Sequence, residues 1–425
     1  MQWIHLDYGK GGLPIELPDH ARVLNMASTP GLESPAEHIR DGLANPLGSE
    51  PLARLAAGQR DACIVISDIT RPVPNSLVLP EVLGVLERAG IAREAITILI
   101  GNGLHRPNEG DELVELVGEL IVSEYRIINH FARREEELSH LGQTPMGMPI
   151  WVNSRFVNAG LKIAVSLIEP HLMAGYSGGR KAICPGICGV ETIRFFHGPQ
   201  ILSHPKATEG CIEGNPVHEQ SLAVARAAGV DFTVNVTMNE ERQVTGVFCG
   251  ELELAHEHGV RYVAEQASAF VEEPADIVIT SSAGHPLDLT LYQAVKGLTA
   301  VLPVVKKGGS IIIVAQCEEG IGSPEFTELL LGVDTAQEFL DRIRQPGFFV
   351  VDQWQLQELC KVIEKADVWL YSEGVSSRMD SVPLFHLVDS VGAALLSATE
   401  CHGPEARIAV VPRGPYVLPR LRGAA

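Results

Sequence analysis

At 425 residues the chain is too long for one ordinary core, so two domains, at most three, are expected. Hydrophobic residues at 45 % and charged residues at 20 % exclude a disordered chain and leave material for a sizeable core. The formal charge of −20, from 33 Lys and Arg against 53 Asp and Glu without a basic run, argues against a nucleic acid or an anionic membrane as partner.

The first ten residues lack a basic head followed by an apolar core, so no secretory signal is expected. No apolar run reaches the length that spans a bilayer. Eight cysteines scattered over positions 63 to 401 form no disulfide framework and fit a reducing cytoplasm, the expected location. Cys184 and Cys188 are the one close pair; core packing is the plain reading, and a metal site would need a second pair.

In chain order, residues 2–16 read as a short hairpin, and a Pro/Gly-punctuated region to about 48 has room for one helix. An α/β rhythm then begins. The run 62–67 is short, apolar and β-branched, and a polar loop (68–75) and an amphipathic helix (77–89) follow it. Strand 95–100, loop 101–107 and helix 111–117 repeat the pattern, and 125–130 and 161–166 add two strands. Strand, polar loop and helix in repetition predict a parallel sheet covered on both faces. After a Gly/Pro-rich passage (198–216) come a helix at 217–228, a strand at 232–238 and a long helix at 252–269. Residues 272–275 read as a linker. A second α/β rhythm follows, with strand 276–280, loop 281–288, a helix carrying Tyr292, Gln293 and Lys296, and a strand from Gly309. The predicted fold is therefore α/β, with two domains of largely parallel sheet, 1–270 and 271–425.

The densest chemistry lies between residues 169 and 198: His171, the run Gly175-Tyr-Ser-Gly-Gly-Arg-Lys181, Cys184-Pro-Gly186 and Phe195-Phe-His197-Gly. Its glycines permit φ > 0 and close backbone approach, which suits a large flat or phosphorylated ligand. Ligands of open α/β sheets collect beyond the carboxyl ends of the strands. The loops 68–75, 101–107 and 169–181 should therefore face one crevice and bring Asp68, Arg71, His105, His171 and Lys181 to one rim.

Each candidate carries two readings. His105 and His171 are hydrogen-bonded loop residues or a general acid and base, since imidazole titrates near neutrality. Arg71 braces its loop or binds a carboxylate or phosphate. Lys181 is an exposed amine or a covalent attachment point. His197 is an aromatic-packed core histidine or a metal ligand, although HExxH or CxxC partners are missing from its neighbourhood.

The set Asp68-Ile-Thr-Arg-Pro, Gly101-Asn-Gly-Leu-His-Arg-Pro, Glu169-Pro-His, Tyr176-Ser-Gly-Gly-Arg-Lys, Phe196-His-Gly and Tyr292-Gln-Ala-Val-Lys-Gly resembles the lactate racemase family, whose members carry a nickel-pincer nucleotide. The motifs are long, ordered and spread over both domains. The resemblance implies an active site in the interdomain crevice and a pyridinium-3-thioamide-5-thiocarboxylic acid mononucleotide joined through Lys181, with His197 as the protein's nickel ligand. It implies His105 and His171 as the acid/base pair, and Arg71, Tyr292, Gln293, Lys296 and Trp354 as substrate-binding residues, with Asp68 supporting Arg71. Cofactor contacts are implied for Asp68, Thr70, Tyr176, Ser177 and Gly178. Cofactor-biosynthesis enzymes would load the group, the only partners implied besides a small-molecule substrate. The implied reaction racemises a short-chain 2-hydroxy acid by proton-coupled hydride transfer through a 2-keto acid.

Leu287, Leu289 and Leu291 suggest an apolar wall for a lactate-like side chain. Malate or another dicarboxylate would need a further cation, for which Arg106 and Arg180 are the candidates, and 2-epimerisation of a sugar acid is a related alternative. A nicotinamide dehydrogenase is disfavoured because no G-x-G-x-x-G follows a predicted strand. A non-catalytic nickel-nucleotide carrier would have no use for both His105 and His171.

Overall fold

The computed structural model describes residues 1–423. It divides into two compact units that interleave in sequence. One comprises Ser28–Glu169 and Ala174–Glu265; the other comprises Met1–Ala27, Pro170–Met173 and the chain from Gln266 on.

The first unit is built on a six-stranded sheet in the order Val244–Gly250, Phe232–Met238, Leu161–Leu167, Ala62–Ser67, Ile96–Gly101, Arg126–Asn129. All pairings are parallel except that of Val244–Gly250 with Phe232–Met238. The central strand Ala62–Ser67 explains the pattern: Ile64 stands in register with Ile98 on one side and Ile163 on the other, and only its last residue escapes full burial. A strand covered on both faces reads as continuous apolar sequence rather than as alternation. Helix Asn75–Arg88 buries Val78, Leu79, Val82, Leu83 and Leu86, an i, i+3/i+4 stripe. Helix Pro216–Ala228 starts where Asn215 accepts from the N–H groups of Val217 and His218, and stops at Gly229 with φ +77°. The region expected to hold one helix forms Pro35–Ala44, and a short second helix, Leu52–Ala56, follows it.

The second unit has a six-stranded sheet in the order His386–Leu387, Ala366–Tyr371, Val305–Val314, Ala275–Ser281, Ile408–Val411, Arg22–Val23, parallel throughout. Helices Leu291–Ala300, Pro324–Leu331, Ala336–Ile343 and Gln353–Ile363 supply the core on one face. The hairpin of Gln2–Leu6 with Leu13–Leu17 and helix Val391–His402 supply the other, through Leu6, Ile15, Leu17 and Ala394 against Ile277, Ile279, Ile312 and Val314. The hairpin is present as expected, and it folds into this sheet's core although the whole of the other unit lies between it and Gln266 in sequence. The expected helix 252–269 ends at Ala267, and Ser268–Val271 is instead a strand paired with Leu418–Leu421. Among the described residues no helix is long and apolar enough to cross a membrane.

Candidate functional site

Within the first unit the strands Leu161–Leu167, Ala62–Ser67 and Ile96–Gly101 are neighbours and parallel, so their carboxyl ends share one edge of the sheet. The loops that follow them meet there. Gly103, at φ +56°, donates its N–H to Gly186 O at 2.9 Å, and Ile69 N–H donates to Asn108 Oδ1 at 3.2 Å. Asn108 is held in turn by Asn129 at the end of the edge strand, through bonds of 2.8 and 2.9 Å. Sequence reasoning passed over Asn108; its only local signal is its place just after the Gly-Asn-Gly-Leu-His-Arg-Pro loop.

Asp68 and His105 form a dyad at this edge. Asp68 Oδ2 lies 2.6 Å from His105 Nδ1, while Oδ1 accepts from Thr70 Oγ at 2.6 Å and from Thr70 N–H at 3.2 Å. Burial pushes the Asp68 carboxyl upward, but the hydrogen bond and charge of His105, with the Thr70 hydroxyl and the Arg71 charge, outweigh it and hold the group below the usual carboxylate range. An ionised carboxylate can only accept, so Nδ1 of His105 carries a proton and Nε2 is the nitrogen left to exchange one. The Asp68 side chain is 6 % exposed and that of His105 is 53 % exposed: an anchored base and a buried anchor. Asp68 also meets Arg71, whose N–H donates to Asp68 O at 3.2 Å and whose charge helps hold the carboxylate ionised. The Arg71 guanidinium forms a largely buried ion pair with Glu169, and one engaged amino group leaves it further donors for an anion.

The stretch 174–189 folds against this edge and is nearly all buried. Its glycines are packed tightly against the protein. A Cβ at Gly175 would lie 2.1 Å from Cys211 O, one at Gly178 would lie 2.5 Å from Ile168 Cγ1, and one at Gly186 would lie 2.2 Å from Ala182 O. They let the backbone, with φ +75° at Gly175 and +87° at Gly178, close upon the protein itself. Tyr176 is buried, and Ser177 Oγ donates to Leu167 O at 2.8 Å and accepts from Glu169 N–H at 3.0 Å. Cys184 and Cys188 are buried free thiols; burial holds Cys188 well above its ordinary value, and its Sγ donates to Ile183 O at 3.2 Å.

Lys181 sits in the short turn Gly179–Ala182 and His197 caps helix Val190–Phe196. Both approach Phe196: the lysine Nζ lies 5.9 Å from the ring centroid, and the imidazole packs edge-on at 5.0 Å. Burial first, then the ammonium of Lys181, push the His197 pKa down to about 3. His197 is therefore a neutral imidazole at physiological pH, the form that binds a metal. Among the described residues no three His, Cys, Asp or Glu side chains gather as a metal site. These residues fit a nickel nucleotide that brings its own donors, with one neutral imidazole for the metal and one amine beside it.

In the second unit Tyr292, Gln293 and Lys296 share helix Leu291–Ala300, whose first turn is capped by Thr290. Lys296 Nζ donates to Gln293 Oε1 at 2.5 Å, and Trp354 Nε1 donates to the Tyr292 hydroxyl at 3.0 Å. Gln355 adds a bond to Tyr292 O at 2.7 Å, and Phe326 meets the Tyr292 ring at right angles, 5.3 Å away. The helix thus presents a cation bonded to an amide beside an aromatic pair. His171 Nδ1 accepts from Met173 N–H, 3.3 Å away, which leaves Nε2 as its proton-carrying nitrogen in this contact, the reverse of His105.

Three expected contributors fall elsewhere. Leu291 is 1 % exposed and belongs to the core, so it cannot form a substrate wall. Arg180 is 1 % exposed with both amino groups bonded inside the first unit, and Arg106 is paired with Glu112 at 2.5 Å on the surface. Neither is a ready second cation for a dicarboxylate.

Comparison with known proteins gives a consistent result. Residues 8–210 match the family model of the lactate racemase N-terminal domain, and residues 270–418 match that of the lactate racemase C-terminal domain. The chain is 34 % identical over 422 residues to the lactate racemase of Lactiplantibacillus plantarum, covering 98 % of this chain and 99 % of that one. It is 33 % identical over 423 residues to the lactate racemase of Thermoanaerobacterium thermosaccharolyticum, with the same coverage. The structure of the lactate racemase apoprotein from the latter organism superposes with a TM-score of 0.92 at 32 % identity, covering 99 % of this chain and all of the other. A Thermotoga maritima protein shares the fold at a TM-score of 0.69 and 19 % identity, over 91 % of this chain and 98 % of that one.

Proposed function

Because this chain belongs to the lactate racemase family, and so is an isomerase, we propose that it interconverts the enantiomers of a short-chain 2-hydroxy monocarboxylic acid such as lactate, working in the cytoplasm. The observation that carries the reading is the Asp68–His105 dyad, a half-exposed imidazole whose tautomer is fixed by a buried, ionised carboxylate. In this reading His105 takes the hydroxyl proton through Nε2, and His171, acting as the imidazolium, delivers a proton from Nε2 to the oxygen on the opposite face and returns to the neutral ring. Arg71, Lys296 and Gln293 hold the substrate carboxylate and oxygen atoms, and the Tyr292–Trp354 pair bounds the substrate side chain. Lys181 tethers a nickel-pincer nucleotide, His197 ligates its nickel, and Asp68, Thr70, Tyr176, Ser177 and Gly178 make up its surroundings. When bound, that group supplies a reversible hydride acceptor, so that C2 passes through a planar keto acid without becoming a carbanion.

The monocarboxylate is preferred over malate because Arg180 and Arg106 are already committed within the protein. Optical rotation followed after addition of either pure lactate enantiomer to cofactor-loaded protein should decay to zero from both signs. Rotation that stays constant, in protein shown by metal analysis to hold nickel, would leave a carrier instead of an enzyme. Decay with malate but not with lactate would move the substrate to the dicarboxylates.

A further inference from the structure

Arg180 and Lys181 are consecutive and are used in opposite ways. Arg180 ranks among the largest fully buried side chains. Its Nη2 donates to Ala174 O at 3.0 Å and to Tyr176 O at 2.9 Å, and its Nη1 donates to Gly178 O at 3.3 Å and lies 2.6 Å from His256 Nε2, a nitrogen that also lies 2.9 Å from Ser177 O. The segment, turned at Gly175 and Gly178, brings the carbonyls of 174, 176 and 178 to one planar fork as three acceptors. Burial lowers the Arg180 pKa to about 9, still leaving a cation at neutral pH. His256, from helix Leu252–Ala267, is held well below its ordinary pKa by burial and then by the Arg180 charge, so a neutral ring meets the guanidinium. The same ring closes on Gly179, where a Cβ would stand 3.2 Å from Cδ2, and Gly179 N–H donates to the buried Asn235 Oδ1 at 2.8 Å.

A buried cation is a costly way to fill space that a methionine would fill. What the guanidinium gives in return is direction, because it closes the segment 174–180 upon itself one residue before the lysine. We propose that Arg180, with His256 behind it, is a positioning residue that fixes the turn Gly179–Ala182 and so presents the amine of Lys181 beside Phe196 and His197. The proposal rests on the reading above only in taking that amine as the cofactor tether.

Limiting acetic anhydride on full-length, cofactor-free protein, with each lysine quantified by peptide mass spectrometry against the exposed Lys307, tests the positioning without the cofactor. In Arg180→Met, the Lys181 to Lys307 labelling ratio should rise about tenfold as the held amine is released. Arg180→Lys should behave similarly, since an ammonium lacks the fork. His256→Leu should raise the ratio less, and His256→Gln, which restores an acceptor near Nε2, should return it to the wild-type value. In protein matured with the cofactor, the fraction of Lys181 carrying the added mass should fall in the same order. A folded Arg180→Met protein with an unchanged ratio overturns the proposal. Should that variant not fold, an unchanged ratio in folded His256→Leu overturns it equally, and a raised ratio that the glutamine variant corrects supports it. Wild-type protein matured with the cofactor but bearing no added mass on Lys181 would instead overturn the tether, leaving the labelling result to judge the positioning.

Discussion

The two units present their chemistry by different means. In the first, Asp68, Arg71, His105 and Lys181 stand on loops beyond parallel strands, and each depends on a buried or half-buried ionic or polar partner: Asp68 for His105, Glu169 for Arg71, Arg180 for the turn that bears Lys181. In the second, Tyr292, Gln293 and Lys296 stand on one helix and meet through neutral or singly charged hydrogen bonds. A loop has no periodic backbone hydrogen bonding to fix a side chain, so it borrows rigidity from side chains; a helix supplies its own. Substitutions in the first unit should therefore disturb catalysis through geometry, and those in the second should chiefly weaken substrate binding.

The largest effects are expected where a group itself handles protons or metal. His105→Ala and His171→Ala should each lower turnover by about 10²- to 10⁴-fold while nickel content stays constant. His197→Ala should lose the nickel. Metal analysis alongside polarimetry distinguishes the two classes, and full activity in either variant of the acid/base pair would sink the two-histidine scheme.

Next comes the anchor. Asp68→Asn replaces an acceptor-only group with an amide that can turn its NH2 toward Nδ1 and drive the proton of His105 to the wrong nitrogen. Turnover should fall by about a hundredfold or more with little change in KM. The helix side gives the contrast: Lys296→Met should raise KM by about ten- to a hundredfold, the value of a charge-assisted hydrogen bond, with a smaller effect on turnover. If Asp68→Asn acts mainly on KM, the distinction between the two regions fails.

The α/β class was legible because strands such as 62–67 and 96–101 are buried on both faces and so read as unbroken apolar runs between polar loops. The meeting of the loops after Ser67, Gly101 and Leu167 followed from strand order alone. What sequence could not show was partnership over long separations. Arg22–Val23 is a two-residue edge strand whose neighbour, Ile408–Val411, lies almost 400 residues away, and no local pattern announces such a pairing. The positive φ of Gly175 and Gly178 was legible from residue type, whereas the close packing that also requires glycine there shows only in distances. Tyr292, Gln293, Lys296 and Trp354 were visible only through family resemblance, because a polar stripe on a helix looks the same whether it faces substrate or water.

A smaller effect concerns stability. His130 is buried behind the loop edge, where Nδ1 accepts from Asn153 Nδ2 at 3.1 Å and Nε2–H donates to Cys188 O at 2.9 Å. Burial lowers its pKa from 6.5 to about 4, so the unfolded chain takes up a proton first as pH falls. Stability should be intact above pH 6.5, fall progressively toward pH 4 by about 3 kcal/mol, and level off below that as far as this group is concerned. Chemical denaturation at pH 7 and pH 4.5 should show His130→Gln with less acid loss than the parent, although it is less stable at neutrality.

The smallest effect is expected at Arg106, one loop position from His105. Its guanidinium pairs with Glu112 at 2.5 and 2.7 Å, yet the arginine side chain is 70 % exposed. Solvent screening keeps such pairs below about 1 kcal/mol, so Glu112→Gln should shift the denaturation midpoint only slightly. Its catalytic consequence is more informative, because Glu112 also accepts from Asn108 Nδ2 at 3.1 Å, and Asn108 holds the Asp68 loop through Ile69. If loop geometry is what the first unit supplies, Glu112→Gln should cost turnover a few-fold while stability and KM barely move. An equal loss of turnover and stability would mean that the loop network merely holds the fold.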